Sequence, residues 1–272
     1  MNEQIRCILE DEGIERFAAL AYADVREVKP HILGKDGFRP KSVLMFLLPY
    51  YTGETKNISR YAASLDYHIA IREITGRIID RLNDLFPGAV FRGYGDHSPI
   101  DERHAALIGG LGICGDNGLL IDKKYGSYVF IADILTDLPP EAVGAVPPAT
   151  PDTCEHCGAC RRACPTGILR SEGETCLSAI TQQKKDLTKE EVALMKKYHT
   201  VWGCDECQCH CPHNRIPVPT PISFFYRENI TELTLDGLNA MSDEEFSRRA
   251  FAWRGRAVVR RNLLLVGDSH EK

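Results

Sequence analysis

The cysteines between positions 154 and 211 carry the clearest chemical signal in the chain. Cys154, Cys157, Cys160 and Cys164 form the pattern C-x2-C-x2-C-x3-C, with Pro165 directly after it. This run is typical of bacterial ferredoxins that hold two 4Fe-4S clusters, in which the first three cysteines bind one cluster and the fourth binds the other. Structural zinc normally takes two cysteine pairs set further apart, so the run favours iron-sulfur clusters over zinc or reactive thiols.

Later cysteines supply the remaining ligands. If the ligands cross between clusters as in ferredoxins, one cluster is held by Cys154, Cys157, Cys160 and Cys211, and the other by Cys164, Cys176, Cys204 and Cys207. Cys209 is then surplus, although it could replace Cys207 or Cys211 in a shifted register. Cys7 and Cys114 are interpreted as small core residues, but Cys114 lies in a glycine-rich loop that could meet a cofactor.

Length and composition limit the remaining possibilities. The chain has 272 residues, of which 43% are hydrophobic, enough for one large domain or for a medium and a small one. Its apolar runs fall short of the roughly 20 residues that a membrane span needs, and residues 1–17 are too charged for a secretion signal. We therefore expect a cytoplasmic protein without a membrane segment, in which the close-set cysteines bind metal instead of forming disulfides.

The net charge of -5, from 33 basic and 38 acidic residues, argues against a broad electrostatic attraction to nucleic acid. One local exception is the segment 248–261, which holds six arginines with Phe251 and Trp253 among them. The segment is interpreted either as a contact site for nucleic acid or as an arginine-rich helix face paired with acidic neighbours.

Upstream of the cysteines, the sequence predicts alternating strands and helices. Residues 41–50 have the composition of a buried strand, apolar residues recur at helical intervals over 58–86, and residues 89–94 form a short strand. Residues 118–135 are predicted to form a hairpin that completes the sheet. The segment 138–153 contains five prolines and is expected to be an extended linker between two packed units.

The residues after the short strand combine helix-start signals with side chains capable of proton transfer. Ser98 is predicted to cap a helix with Pro99 at its first position, which places Asp96 and His97 at the junction of strand and helix. In open α/β folds, loops at strand ends are where ligands bind.

Farther along, residues 242–245 have the spacing of a capping box, and we expect the C-terminal fifth of the chain to be helical.

Taken in order, several segments resemble those of the epoxyqueuosine reductase family. They are SRYAASLDYH, GDHSPIDER, GLGICGDNGLLI, YGSYVFIADILTDL, CGACRRACPTGIL, CLSAIT, CDECQCHCPHNR and GRAVVRRNLLL. The resemblance covers about residues 40 to 266. It is specific because the ordered set, more than any single motif, is improbable by chance.

The resemblance implies an α+β protein made of three parts. An α/β cobalamin-binding catalytic domain (residues 1–148) is followed by a ferredoxin-like domain with two 4Fe-4S clusters (149–218) and a short helical C-terminal segment (219–272). The family is similar in its core to cobalamin-dependent reductive dehalogenases. It removes the epoxide oxygen from epoxyqueuosine in the tRNA anticodon loop, the last step of queuosine formation, with electrons passing through the clusters to cobalamin.

The resemblance also implies roles for single residues. Asp96 matches the family's proton donor in the segment GDHSP, and such a donor must keep its proton near neutral pH. Residues of the cofactor site are expected in the matching stretches: Tyr61, Tyr67, His68, His97, Ser98, Gly112, Gly115 and Asn117. His97 and His104 are secondary candidates for acid or cobalt ligand. Without the resemblance, Asp96 would be interpreted as a turn or capping residue and the tyrosines as core residues.

Two features depart from the family. The glycine loop has Gly115, Asp116, Asn117 and Gly118 where the family usually has G-K-N-T, so an acid replaces a base. Longer members continue into a C-terminal helical-repeat region that helps hold tRNA, and this chain is therefore interpreted as a short form. These departures keep a cobalamin reductase of small molecules as the alternative, with a non-enzymatic electron carrier as a third hypothesis. We expect a monomer served by an external electron donor.

Overall fold

The computed structural model describes residues 1–34, 36–171 and 175–267. These residues form two units that alternate along the chain. The first unit comprises residues 1–50, 68–156 and 220–222, and the second comprises 51–67, 157–219 and the described residues from 223 onward. The functional boundaries expected at 148 and 218 stay a prediction, and the last five residues of the segment 219–272 lie outside the described residues.

The secondary structure of the described residues mixes short helices with strands. The α-helices are α1 (Glu3–Asp11), α2 (Tyr67–Leu85), α3 (Glu102–Ile108), α4 (Pro140–Val143), α5 (Ala159–Ala163), α6 (Leu177–Thr181), α7 (Lys189–Lys197), α8 (Glu206–Cys209), α9 (Leu235–Ala240), α10 (Asp243–Ser247) and α11 (Arg256–Gly267). The strands are β1 (Phe17–Ala21), β2 (Ser42–Pro49), β3 (Phe91–Tyr94), β4 (Ile113–Cys114), β5 (Leu120–Ile121) and β6 (Val129–Thr136).

The first unit is built on a four-stranded sheet with the order β1-β2-β6-β3, in which every neighbouring pair is antiparallel. All eight residues of β2 are buried, which confirms the buried strand predicted over 41–50. The mixed α and β composition also agrees with the prediction. The analogy with open α/β folds does not hold, because antiparallel strands place neighbouring carboxyl ends at opposite edges of the sheet.

Helix α2 begins at Tyr67, not near residue 58 as the apolar periodicity predicts. Ile58 bridges to Trp202 within the second unit, and the backbone N–H of Ser59 donates to the carbonyl of Trp202 at 2.7 Å. These strand-like contacts override the helical pattern over 58–66. The helix ends at Leu85, as expected from the predicted stop signal after residue 86.

Helix α3 begins at Glu102, beyond the predicted cap at Ser98, so that prediction is wrong. Asp101 is the N-cap, and its carboxylate accepts a hydrogen bond from the backbone N–H of His104 at 3.1 Å. The hydroxyl of Ser98 donates to Asp133 instead, and the carbonyl of Pro99 accepts from residues 28 and 29. The chain therefore stays extended through Pro99.

Two further predictions for the first unit are wrong. The hairpin over 118–135 does not form: β5 pairs with β4 in a separate two-stranded sheet, whereas β6 lies between β2 and β3. The segment 138–153 is not an extended linker throughout. It contains α4, and the backbone N–H of Val146 donates to the carbonyl of Ala19 at 2.9 Å, so this segment packs onto the first unit.

The second unit has a core of its own around Trp202, which is fully buried. Phe251 packs edge-on against it, with ring centroids 6.2 Å apart. Ser242 and Glu245 exchange hydrogen bonds at the start of α10, which confirms the capping box, and α9 to α11 confirm the helical character of the C-terminal part. Across the described ranges, no helix combines the length and apolarity that a membrane crossing requires.

Candidate functional site

The loop after β3 carries Asp96 in a left-handed backbone conformation, with a φ of 64°. Such a conformation is unfavourable for a residue with a Cβ, so surrounding contacts must maintain it. The end of β3 and the loop that follows lie very close to α2: a Cβ on Gly93 would be 2.6 Å from Thr75 Cβ, and one on Gly95 would be 2.4 Å from Ile71 Cδ1. The strand end is therefore pressed against one face of this helix.

His68 lies on the same face of α2, one turn before Ile71. Its Nε2 is 3.4 Å from Oδ2 of Asp96, so two residues predicted separately meet in the folded unit. Their side chains are 50% and 62% exposed, respectively. Protein atoms alone thus leave the pair open to a substrate.

Two carboxyl groups that the sequence reasoning missed support this loop. Oε1 of Glu102 accepts a hydrogen bond from the backbone N–H of Asp96 at 2.9 Å. Asp133 is fully buried on β6, and its Oδ2 accepts from the hydroxyl of Ser98 at 3.1 Å. Burial raises the pKa of Glu102 to about 7 and the pKa of Asp133 well above its usual range. The sequence signal for Asp133 is an acid inside an otherwise apolar strand.

Two buried nitrogen atoms of the first unit lack a hydrogen-bond partner among the described residues. They are Nδ1 of His104 and Nδ2 of Asn117. Unpaired buried polar atoms are rare because they cost free energy, so both are candidates for contact with a bound group. His97 lies exposed on the loop surface.

Gly112 and Gly115 have a packing reason within the chain. A Cβ on Gly112 would lie 2.5 Å from the carbonyl oxygen of Ile121, and one on Gly115 would lie 2.4 Å from Oδ1 of Asn117. The β4–β5 pair therefore needs both glycines with or without a ligand. Their contact with a cofactor stays a prediction.

Tyr61 and Tyr67 lie in the second unit, partly buried and packed edge to face with ring centroids 6.3 Å apart. The hydroxyl of Tyr61 accepts a hydrogen bond from Nε1 of Trp202 at 2.9 Å. Tyr61 thus has the hydrogen-bonded tip of a core tyrosine. A role at a cofactor stays a prediction for both tyrosines.

The environment of Cys164 suits a metal ligand. Burial by itself would raise the pKa of this thiol, but hydrogen bonds from the backbone of Leu169, from Thr166 and from the backbone of Gly167 outweigh burial and lower it. Such donors stabilise the thiolate, the form in which cysteine binds metal. Cys160 on α5 is also buried, and α5 packs against α8.

Two predicted ligands of the second cluster act on a third. Burial, together with the neighbouring Cys176 and Cys207, raises the pKa of Cys204 to about 12. Thiols this close repel each other once ionised, and a bound metal cluster relieves that repulsion. The structure thus places Cys176 and Cys207 near enough to Cys204 to influence its ionisation.

Cys209 contacts a cation instead. Nη1 of Arg60 donates to its Sγ at 2.9 Å and lies 3.3 Å from Oδ2 of Asp205, and the three side chains line a cavity of 160 Å³. This contact supports the interpretation of Cys209 as surplus.

Cys7 is exposed, so its expected core position is wrong, whereas Cys114 packs against the core of the first unit.

The acid in the glycine loop has a basic partner. Oδ1 of Asp116 and Nδ1 of His156 are 2.7 Å apart, and Cys154 lies beside both. The backbone N–H of Cys154 also donates to the carbonyl of Cys114 at 3.0 Å. The glycine loop is therefore joined to the first cysteine of the cluster run by a backbone hydrogen bond, and to His156 by the side chain of Asp116.

Most arginines of the segment 248–261 bind protein groups in the second unit. Arg248 pairs with Glu228, Arg249 donates to the carbonyl of Glu228, Arg256 donates to the carbonyls of Leu238 and Met241, and Arg261 donates to those of Gln183 and Lys185. Trp253 is 58% exposed, and the guanidinium of Arg254 lies 3.7 Å from its ring centroid. This stacked pair therefore lies at the surface of the second unit.

Comparison with known proteins begins at the cysteines. Residues 153–214 match the family described as a 4Fe-4S double cluster binding domain. The chain therefore contains an iron-sulfur domain, in agreement with the prediction.

Similarity extends over most of the chain. Epoxyqueuosine reductase of Listeria monocytogenes is 29% identical over 95% of this chain and 72% of its own length, and that of Leadbetterella byssophila is 34% identical over 76% of this chain and 69% of its own length. A crystal structure of an epoxyqueuosine reductase with an epoxyqueuosine-modified tRNA stem loop matches with a TM-score of 0.80 at 24% identity. That match covers 97% of this chain and 80% of the other, so the fold is shared.

Proposed function

The chain belongs to the epoxyqueuosine reductase family of oxidoreductases, and we propose that it reduces epoxyqueuosine to queuosine in tRNA. The observation that carries this proposal is the 34% identity to an epoxyqueuosine reductase over 76% of the chain. The solved neighbour with a modified tRNA stem loop supports tRNA as the substrate class. We also propose that the protein is a cytoplasmic monomer that receives its electrons from an external donor.

Two 4Fe-4S clusters conduct the electrons in this proposal. We assign one to Cys154, Cys157, Cys160 and Cys211, and the other to Cys164, Cys176, Cys204 and Cys207. The donors around Cys164 and the proximity of Cys176, Cys204 and Cys207 support this assignment.

The reaction consumes two electrons and two protons. Both C–O bonds of the epoxide break, a C=C bond forms, and the oxygen leaves as water. Asp96 donates one of the protons to the epoxide oxygen as its first C–O bond breaks. His68, 3.4 Å away, orients the carboxyl group of Asp96 for this transfer.

Cobalamin is the cofactor that the family implies, and the first unit offers polar atoms that fit it. When bound, cobalamin supplies a reduced metal centre that is strongly nucleophilic toward an epoxide carbon. Nδ2 of Asn117 is a buried donor without a partner among the described residues, and the amide and phosphate groups of cobalamin are acceptors. Nδ1 of His104 is a second buried nitrogen without a partner among the described residues. These two residues would hold the cofactor, with His97, Ser98, Gly112 and Gly115 from the same segments.

Trp253, Arg254 and Arg260 are the candidates for contact with RNA. The indole of Trp253 is exposed and stacks with Arg254, a combination suited to an unpaired base and a phosphate. Arg260 is exposed on α11. The other arginines of the segment hold the second unit together.

The test is conversion of tRNA that carries epoxyqueuosine. The protein with reconstituted clusters and added cobalamin is reduced chemically under anaerobic conditions, and nucleosides from the digested tRNA are separated by chromatography and identified by mass spectrometry. We expect queuosine to appear with the enzyme and not with protein lacking cobalamin. If tRNA incubated with protein that carries both clusters and the corrin contains no queuosine, the proposal is wrong.

A small-molecule substrate is the second candidate. The net charge of -5 and the internal pairing of four arginines in the segment 248–261 favour it. Free epoxyqueuosine nucleoside in the same assay decides between the two: turnover faster than on tRNA selects the small molecule. A non-enzymatic electron carrier is disfavoured, because the chain belongs to a family of enzymes.

A further inference from the structure

Three elements hold the Asp96 loop. Gly95 is pressed against Ile71 of α2, where a Cβ would have no room. Ser98 is buried and bonds to Asp133 of β6. Between these two anchors, Glu102 in the first turn of α3 accepts the backbone N–H of Asp96 at 2.9 Å. Among these three contacts, the one from Glu102 reaches the backbone of Asp96 itself.

The hydrogen bond to Glu102 fixes the peptide plane before Asp96, and the Ser98–Asp133 hydrogen bond fixes the chain that follows, so the two together restrict the torsion φ of Asp96. With the N–H held by Glu102, the torsion φ sets the direction of the Cα–Cβ bond relative to it. A change from 64° to the common value near -60° would turn the side chain by roughly 120°. The carboxyl group would then leave His68, which lies 3.4 Å away in the observed conformation.

We propose that Glu102 is a positioning residue that holds Asp96 in its left-handed conformation and so directs the Asp96 carboxyl group toward His68 and the substrate. The part that concerns catalysis rests on the proposed function. The part that concerns the loop rests on contacts within the first unit alone.

The charge of Glu102 modulates the strength of this contact. The groups that act on it are the acids Asp96, Asp101 and Asp133 and the base Lys29. Burial is the main cause that raises the pKa of Glu102 to about 7, and the hydrogen bond from Asp96 opposes it. An ionised carboxylate accepts a hydrogen bond more strongly than a neutral acid. The loop is therefore held more firmly at pH 8 than at pH 6.

The experiment measures amide hydrogen exchange in peptides that cover residues 94–98 of the full chain with reconstituted clusters. Glu102→Ala removes the acceptor, whereas Glu102→Gln keeps an acceptor oxygen without the charge. Asp84→Asn, an exposed carboxylate near the end of α2, is the matched control. Rates at pH 6 and pH 8 are divided by the intrinsic exchange rates at each pH.

We expect the amide hydrogen of Asp96 to exchange at least about tenfold faster in Glu102→Ala than in wild type, because the variant loses a charged hydrogen bond. Glu102→Gln should recover most of the protection but lose the extra protection that wild type gains at pH 8. Asp84→Asn should match wild type. In the tRNA assay, Glu102→Ala should lower kcat about tenfold or more with KM nearly unchanged, since the proton donor is misplaced but the substrate surface is kept.

Wild-type exchange rates over 94–98 in Glu102→Ala at both pH values would overturn the inference, whatever the activity. Faster exchange across the whole first unit would also overturn it, because that result indicates general destabilisation. Should wild type fail to reduce epoxyqueuosine, the proposed function falls, and the exchange data alone decide the role of Glu102.

Discussion

The cluster-binding segment and the Asp96 loop assemble their chemistry in opposite ways. Cys154, Cys157, Cys160 and Cys164 lie within a single short run, because a small cluster needs ligands close together on one loop. Asp96 depends instead on His68 from α2, Glu102 from α3 and, through Ser98, on Asp133 from β6. Ligand chemistry with local geometry is visible in a sequence, whereas a carboxyl group positioned by distant elements is only partly visible.

The largest expected effect tests the local site. Cys160→Ser removes a buried predicted ligand, so we expect bound iron to fall from about eight to about four atoms per chain and tRNA reduction to become undetectable, because the electron path is interrupted. Iron analysis and visible spectroscopy of anaerobic protein measure the loss.

Cys209→Ser is the matched control for that loss. Its thiol contacts Arg60, so both clusters should be retained. Loss of iron in Cys209→Ser would show that the ligand register is shifted, and full iron in Cys160→Ser would show that Cys160 is not a ligand.

The next effect tests the assembled site. Asp96→Asn keeps the shape of the side chain but removes its acidic proton, and we expect turnover to fall by about a hundredfold with both clusters retained. Asp24→Asn, an exposed acid elsewhere in the first unit, should leave turnover unchanged. If Asp96→Asn turns over at the wild-type rate, Asp96 takes no part in the reaction. The contrast between the two sites then does not hold.

A change in packing tests how the loop is held. Gly95→Ala places a Cβ 2.4 Å from Ile71 Cδ1, so we expect the free energy of unfolding to fall by about 1–3 kcal/mol. Gly76→Ala, inside α2 and with no atom within 4 Å of the added Cβ apart from its own helix backbone, should raise it by about 0.5–1 kcal/mol. Denaturant unfolding measures the free energy of unfolding of both variants. Equal stability of the two would show that the loop accommodates the added Cβ without loss of stability.

The smallest expected effect concerns RNA. Trp253→Ala should weaken tRNA binding by about tenfold, since a stacked base contributes about 1–3 kcal/mol. Ile216→Ala, which changes a side chain that is 83% exposed, should bind as wild type. Filter binding at two salt concentrations makes the comparison, and unchanged affinity in Trp253→Ala would place the RNA contact elsewhere.

Local patterns in the sequence predicted several features correctly. The iron-sulfur domain, the buried strand β2 and the capping box of Ser242 and Glu245 were all predicted. Each depends on residues a few positions apart, and short-range spacing is what a sequence displays directly. The family also followed from the ordered motifs.

Only the tertiary structure decided the rest. The hydrogen bond from Ser59 to Trp202 overrode the helical pattern before Tyr67, and Asp133 drew the hydroxyl of Ser98 away from the helix cap. Glu102 was missed because nothing in its spacing shows that its carboxylate turns back to the N–H of Asp96. The sequence by itself determined which chemical groups are present. Packing of the loop against α2, α3 and β6 determined which of them meet, because a hydrogen bond depends on distance in space and not on separation along the chain.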